Sequence, residues 1–278
     1  MKQAQPAYFR VCAILLVLLF SAAATRAQFS RLDDLSSQIA KEVKPLKPHL
    51  IAVADFRPTS GSTSPQGHYF AWILSSILED REKKHFTVSE HVQFDSDLAK
   101  LNISSTSLVP GESFRSVAPQ LAVDVLITGT VEKRDNLYLL QLVPIRVSDS
   151  KSLHPLTFQI QATEFLDSFI TPLPENVRHA KHAKDVPDIT MPSCIYCPNP
   201  SYSDLARRNR LQGVAIFEVL VSADGLPAQI RPVRFLGNGL DEEAFKAIKT
   251  WRFKPAASKD DGAALATIVP IEVSFRLY

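Results

Sequence analysis

The sequence predicts an α+β chain. An α/β sandwich domain over residues 47–170 is followed by a small β-β-α-β domain over residues 191–278, with a three-stranded antiparallel sheet. Three observations predict this. Between 47 and 170, strand-like and helix-like runs succeed one another in the order β-α-β-α-α-β-β, the pattern of helices laid on a sheet. After residue 213, two apolar runs flank Asp224-Gly225, an amphipathic helix follows, and the chain closes on an alternating run. Between the two parts, residues 171–190 carry Pro172, Pro174 and Pro187 among charged residues, the composition of a linker.

Bulk properties narrow the function classes. The formal net charge is +2, from 31 basic and 29 acidic residues, and there is no long basic run, so no nucleic-acid partner is expected. Residues 1–27 have the form of a secretory signal peptide. Lys2 and Arg10 precede an uncharged run, Val11 to Thr25, that ends in small residues. An uncleaved anchor is the competing reading, but about 15 uncharged residues fall short of the roughly 20 that a spanning helix needs. Export from the cytoplasm is therefore expected, with anchoring in the membrane as the alternative.

In the first domain, His49 to Phe56 reads as a strand. A helix from about His68 to Lys84 places Phe70, Ile73, Leu74, Ile77 and Leu78 on one stripe. Phe86 to Val88 is a short strand, Val92 to Leu101 a helix, and Pro119 breaks a helical patch over 114–122. Asp135-Asn136 joins two strands in a tight hairpin, because both residues tolerate positive φ. No catalytic residue and no metal or cofactor site is expected. Asp55 at a strand end reads as a turn cap. His49, His68, His85, His91 and His154 are taken as scattered, without a partner at ligand spacing, and Gly61 to Gly67 lacks the Lys-Ser/Thr ending of a phosphate loop. The features IAVADF, ILSSILED, HFTVSE and LAVDVLITGTV resemble the N-terminal α/β domain of the TolB, curli-secretion and flagellar-accessory families. That resemblance implies envelope residence and protein contact rather than a reaction.

The last third carries the most specific chemistry. Cys194 and Cys197 stand at a spacing that suits a redox centre, half of a zinc site or a structural disulfide. No second Cys or His pair follows, and in an oxidising compartment a disulfide is expected. Ser203 is a candidate N-cap for a short helix over 202–211. Val214 to Ala223 and Pro227 to Leu236 are strands around Asp224-Gly225, and Leu240 to Trp251 is a helix with acidic residues in its first turn. Val269, Ile271, Val273, Phe275 and Leu277 face one side of the last strand; Pro270, Glu272, Ser274 and Arg276 face the other. Pro232 and Pro270 cannot donate to a ladder, so both belong on outer strands and the proline-free run 214–223 lies between them. The last strand then keeps an open edge that can accept an added strand.

The succession PSYSDLARRNRLQGVAIFEVLVSADGLP, GNGLDEEAFKAIKTWRFKPA, VPIEVSFRLY resembles the C-terminal domain of the TonB family. Tyr202-Ser203 stands where the family usually has Tyr-Pro. The resemblance implies a non-enzymatic protein of transmembrane transport, with an outer-membrane transporter or other envelope protein as partner and no small-molecule substrate. It places that partner along the last strand, at Ile268, Val269, Pro270, Glu272, Ser274 and Arg276. Inner-membrane motor proteins are implied if the leader is retained. The alternative is a periplasmic scaffold without energy coupling, and a third reading is a thiol–disulfide enzyme at Cys194/Cys197. The sequence departs from the energy-transducing members by lacking a histidine in Val11 to Thr25 and by a folded domain where they carry a long stalk.

Overall fold

The computed structural model describes residues 34–59, 65–177 and 179–277. The leader expectation, residues 1–27, lies outside these, as does the first part of the Gly61 to Gly67 loop. No described helix is long and apolar enough to cross a membrane. The chain divides into two compact units, Met1–Ala162 and Thr163–Tyr278.

The first unit begins with helix α1 (34–43), whose Leu35, Ile39 and Val43 are fully buried. This helix thus supplies part of the core through one narrow apolar stripe. Strand β1 (Leu50–Val53) is followed by the short β2 (Arg57–Pro58), helix α2 (Pro65–Glu82), β3 (Thr87–Val88), α3 (His91–Lys100) and α4 (Glu112–Val117). Then come β4 (Val125–Arg134), β5 (Leu137–Arg146), β6 (Lys151–Ser152) and β7 (Leu156–Gln161). The sheet order is β3-β1-β4-β5-β6, with β7 also on β5. β1 is parallel to β3 and β4, and β4 turns back antiparallel into β5 through Asp135, whose φ is +50°. Helices cover both faces. Phe94 and Leu98 of α3 and Phe114 of α4 bury with Ala52, Leu126 and Ile145. On the opposite face, Phe70 of α2 meets Tyr138 edge-on with ring centroids 5.8 Å apart. These are the predicted layers, and the predicted stripe of α2 is buried at Phe70, Ile73, Leu74 and Leu78.

The second unit opens with α5 (Glu164–Ser168), which the sequence assigns to the first domain. Phe165 packs edge-on against Phe245, centroids 5.7 Å apart, and Lys249 Nζ lies 2.6 Å from Glu164 Oε2. After β8 (Ile189–Thr190), β9 (Ser193–Tyr196) and α6 (Asp204–Arg208) come β10 (Gly213–Val221) and β11 (Pro227–Arg234). Helix α7 (Leu240–Thr250), β12 (Arg252–Lys254), β13 (Ala256–Ser258), β14 (Ala264–Leu265) and β15 (Thr267–Phe275) complete the chain. The main sheet has the order β11-β10-β15, all antiparallel, as the two prolines predict. α7 buries Leu240, Ala244 and Ile248 in the core with Phe217, Val219 and Ile230. Two smaller sheets, β12-β9 and β14-β13-β8, have no counterpart in the sequence reading, because their strands are two to four residues long and show no period. Residues 171–190, read as a linker, lie in this unit: Ala183 is buried and β8 pairs with β13.

Gly225 holds the β10–β11 connection to β12. Its φ is +73°, its carbonyl accepts from Phe253 N–H at 2.9 Å, and a Cβ there would stand 2.0 Å from the Phe253 carbonyl oxygen. A residue with a side chain therefore meets both a strained φ and fixed backbone. Gly225→Ala is expected to lower unfolding free energy by at least about 2 kcal/mol in urea denaturation, with an unchanged far-UV spectrum at low urea.

Candidate functional site

The free edge of β15 is the first candidate. β15 pairs with β10 without interruption from Gly213↔Phe275 to Val221↔Thr267. Ile268 donates its N–H away from β10, to the Lys181 carbonyl at 2.9 Å. Alternate residues of an antiparallel strand direct N–H and C=O to the same side, so Pro270, Glu272 and Ser274 also present their backbone outward. Pro270 has no N–H. Among the described residues, nothing bonds the outward backbone of Glu272 or Ser274, and the side chains of Pro270, Glu272 and Ser274 are exposed. Val269, expected with the contact residues, is buried with Val273 and Phe275 beneath the sheet, and Arg276 lies exposed just past the strand end. The edge at Ile268 is already bridged by His182 of the segment read as linker.

Tyr202 holds the end of this strand, and the two other sequence-predicted features lie elsewhere in the unit. Tyr202 stacks edge-on against Phe275, centroids 5.5 Å apart, and its hydroxyl donates to the Leu211 carbonyl. Ser203 accepts from Ala206 N–H at 3.1 Å, so the serine at this position caps α6. Cys194 and Cys197 form a disulfide, and Cys194 sits opposite Phe253 in the β9–β12 pair. Of the three readings of that pair, the disulfide is the one present.

Asp241, in the first turn of α7, is wholly buried. Its Oδ1 accepts from Leu236 N–H at 2.9 Å and its Oδ2 from Gly237 N–H at 2.7 Å, which closes the loop before the helix. Burial and the neighbouring Glu242 carboxylate push its pKa up to about 8, against the pull of these backbone hydrogen bonds.

In the first unit the structure corrects the sequence reading. Asp55, His68, His91 and Asp95 place one ligand atom each within 4.8 Å of one another. Asp55 follows β1, His68 is in the first turn of α2, and His91 and Asp95 are at the start of α3. His91 is fully buried, while the side chains of Asp55, Asp95 and His68 keep 19%, 29% and 38% of their exposure, so the cluster is partly open to solvent. Asp55 Oδ1 lies 3.0 Å from His68 Nδ1 and 2.8 Å from His91 Nε2. Burial works to raise the Asp55 pKa, but hydrogen bonds and charge from His68 and His91 outweigh it and hold the carboxyl below its usual range. Burial opposes protonation of His68, yet its hydrogen bond to Asp55 and the two carboxylate charges leave its pKa raised; burial and the Asp55 charge raise that of Asp95. Asp55 is therefore more than a turn cap, and two of the histidines read as scattered meet. One signal was present in the sequence: His91 and Asp95 are four apart, the spacing that puts two side chains on one helix face.

The main sheet of the second unit is thus three antiparallel strands packed against α7, and its last strand keeps an edge that, among the described residues, is unpaired beyond Ile268. Residues 198–277 match the family described as Gram-negative bacterial TonB protein C-terminal. Over 79 residues, 28% of this chain and 29% of the relative, the sequence is 35% identical to Protein tonB2 of Pseudomonas aeruginosa. The chain therefore spans less than a third of that relative's length. Among solved structures, it is similar to the TonB C-terminal domain of Pseudomonas aeruginosa, with 20% identity, 34% of this chain and 90% of that one covered, and a TM-score of 0.27. It is also similar to the LpoB C-terminal domain of Salmonella enterica, with 15% identity, 48% and 96% covered, and a TM-score of 0.38.

The Asp241 geometry makes a prediction with a definite sign. The folded carboxyl keeps its proton up to about 8, whereas the unfolded one releases it near 3.8, so between these values the folded state binds the extra proton. Stability then falls as pH rises across that interval, by at most about 1.4 kcal/mol per pH unit. Asp241→Asn is expected to flatten this slope in urea midpoints measured from pH 5 to 8. It is also expected to lose about 1–2 kcal/mol at pH 5, because an amide N–H₂ then faces one of the two backbone donors.

Proposed function

We propose that this chain is a TonB-like, non-enzymatic periplasmic protein that binds an envelope partner of the outer-membrane-transporter type by strand addition, in energy-dependent transmembrane transport. The observation that carries the reading is the outward backbone of Glu272 and Ser274 on β15, which has no bond among the described residues. Two N–H and C=O pairs beside exposed side chains form a template for an extended segment. The partner strand lies alongside Pro270 to Ser274, since Lys181 already takes the N–H of Ile268. The match of residues 198–277 to the TonB C-terminal family supports the class of partner.

A scaffold without energy coupling is the second reading. The specific observation in its favour is the first unit, a complete folded sheet with helices on both faces where the energy-transducing members carry a stalk.

Ser274→Pro tests the edge. It removes one outward N–H and leaves every β10 hydrogen bond intact, and Pro270 shows that the strand accepts proline on this side. The variant is expected to keep the parental circular dichroism and urea midpoint within about 1 kcal/mol. Its recovery of outer-membrane transporters from cross-linked envelopes is expected to fall about tenfold. A folded variant that recovers them at the parental level contradicts strand addition at this edge.

A further inference from the structure

We propose that Asp55, His68, His91 and Asp95 form a binding site for a divalent transition-metal cation of the zinc type. The ligand set fits in number, kind, charge and spacing. Four ligands at about 2.0–2.1 Å on a tetrahedron stand roughly 3.3–3.4 Å apart. The nitrogen–oxygen separations here are 2.8 Å (His91–Asp55), 3.0 Å (His68–Asp55), 3.5 Å (His91–Asp95) and 3.8 Å (His68–Asp95), which bracket that value. Small rotations of the side chains convert the cluster into a coordination shell. Two carboxylates cancel the charge of a dication, and two imidazoles favour zinc over calcium or magnesium, which take oxygen ligands.

The surroundings already orient one ligand. His91 Nδ1 lies 2.9 Å from the Val53 carbonyl oxygen. A carbonyl only accepts, so Nδ1 carries a hydrogen and Nε2 is turned toward both carboxylates. Nε2 then lies 2.8 Å from Asp55 Oδ1. A histidine that donates its other ring N–H to a backbone carbonyl is also the usual outer-shell arrangement at metal sites. Asp95 turns Oδ2 to the cluster, 3.5 Å from His91 Nε2 and 3.8 Å from His68 Nδ1.

The position gives binding a structural consequence. The four residues come from the end of β1 and the N-terminal ends of α2 and α3, so a bound ion ties both helices to the parallel part of the sheet. Loading then stabilises the first unit through mass action on the folded state.

The test uses the full chain, purified without a histidine tag, stripped with chelator and titrated with zinc or cobalt chloride. One equivalent is expected to bind, with a rise in thermal midpoint and, for cobalt, the visible absorption of a tetrahedral nitrogen–oxygen site. Asp95→Asn and His68→Gln, the more exposed pair, are expected to fold as the parent and to bind at least about 100-fold more weakly. His91→Gln is expected to do the same, and the first two variants carry the test if it does not fold. His182→Gln, in the second unit, is expected to bind as the parent. No bound equivalent, parental affinity in both Asp95→Asn and His68→Gln, or loss of binding in His182→Gln would each overturn the site.

Discussion

The second unit rests on the nine-residue pairing of β15 with β10. That ladder fixes the parity of every residue along the last strand. Odd-numbered positions send their backbone to β10 and their side chains, Thr267, Val269, Val273 and Phe275, into the core. Even-numbered positions send both the other way. A slip of one residue would exchange the two sets, placing Glu272 in the core and Phe275 in water, so the buried face holds the register. The same parity that packs the domain is what leaves Glu272 and Ser274 with outward N–H and C=O groups.

The remaining elements hold that strand from its ends. Tyr202 stacks on Phe275, and Gln212 Oε1 accepts from the Leu277 N–H at 2.9 Å. At the other end, Lys181 and His182 pair with Ile268. Asp241 and Gly225 secure the connections on either side of α7, Asp241 by accepting from the Leu236 and Gly237 N–H groups and Gly225 by accepting from the Phe253 N–H. The free stretch of edge is therefore short, bounded by Pro270 at one side and the end of the strand after Phe275 at the other. Short, proline-bearing edges resist uncontrolled pairing with like chains while still admitting one partner segment.

Much of this was legible before the coordinates. Pro232 and Pro270 gave the strand order, because a missing N–H has the same consequence in any sheet. Asp135-Asn136 and Asp224-Gly225 marked the two long hairpins, and the Cys194/Cys197 spacing admitted the disulfide. What was missed has physical reasons. β8, β9, β12, β13 and β14 are too short to show a period. Residues 171–190 are polar and proline-rich, yet their backbone pairs with β13 and Ile268, and backbone pairing leaves no trace in side-chain composition. α1 buries a stripe of a few residues on an otherwise polar helix. The Asp55 cluster draws on three elements separated along the chain; only His91 and Asp95, one helical turn apart, share an element, and Asp55 and His68 join them through the tertiary fold.

The outer edge of β15 is the surface on which the proposed partner binds. Photo-cross-linking in living cells tests it most directly, with a photoreactive residue at position 274 and, as the comparison, at exposed Val233 on the far strand β11. A distinct adduct with an outer-membrane transporter from position 274, absent from position 233, is the predicted result. Equal labelling from both positions, or adducts from 233 alone, would contradict it.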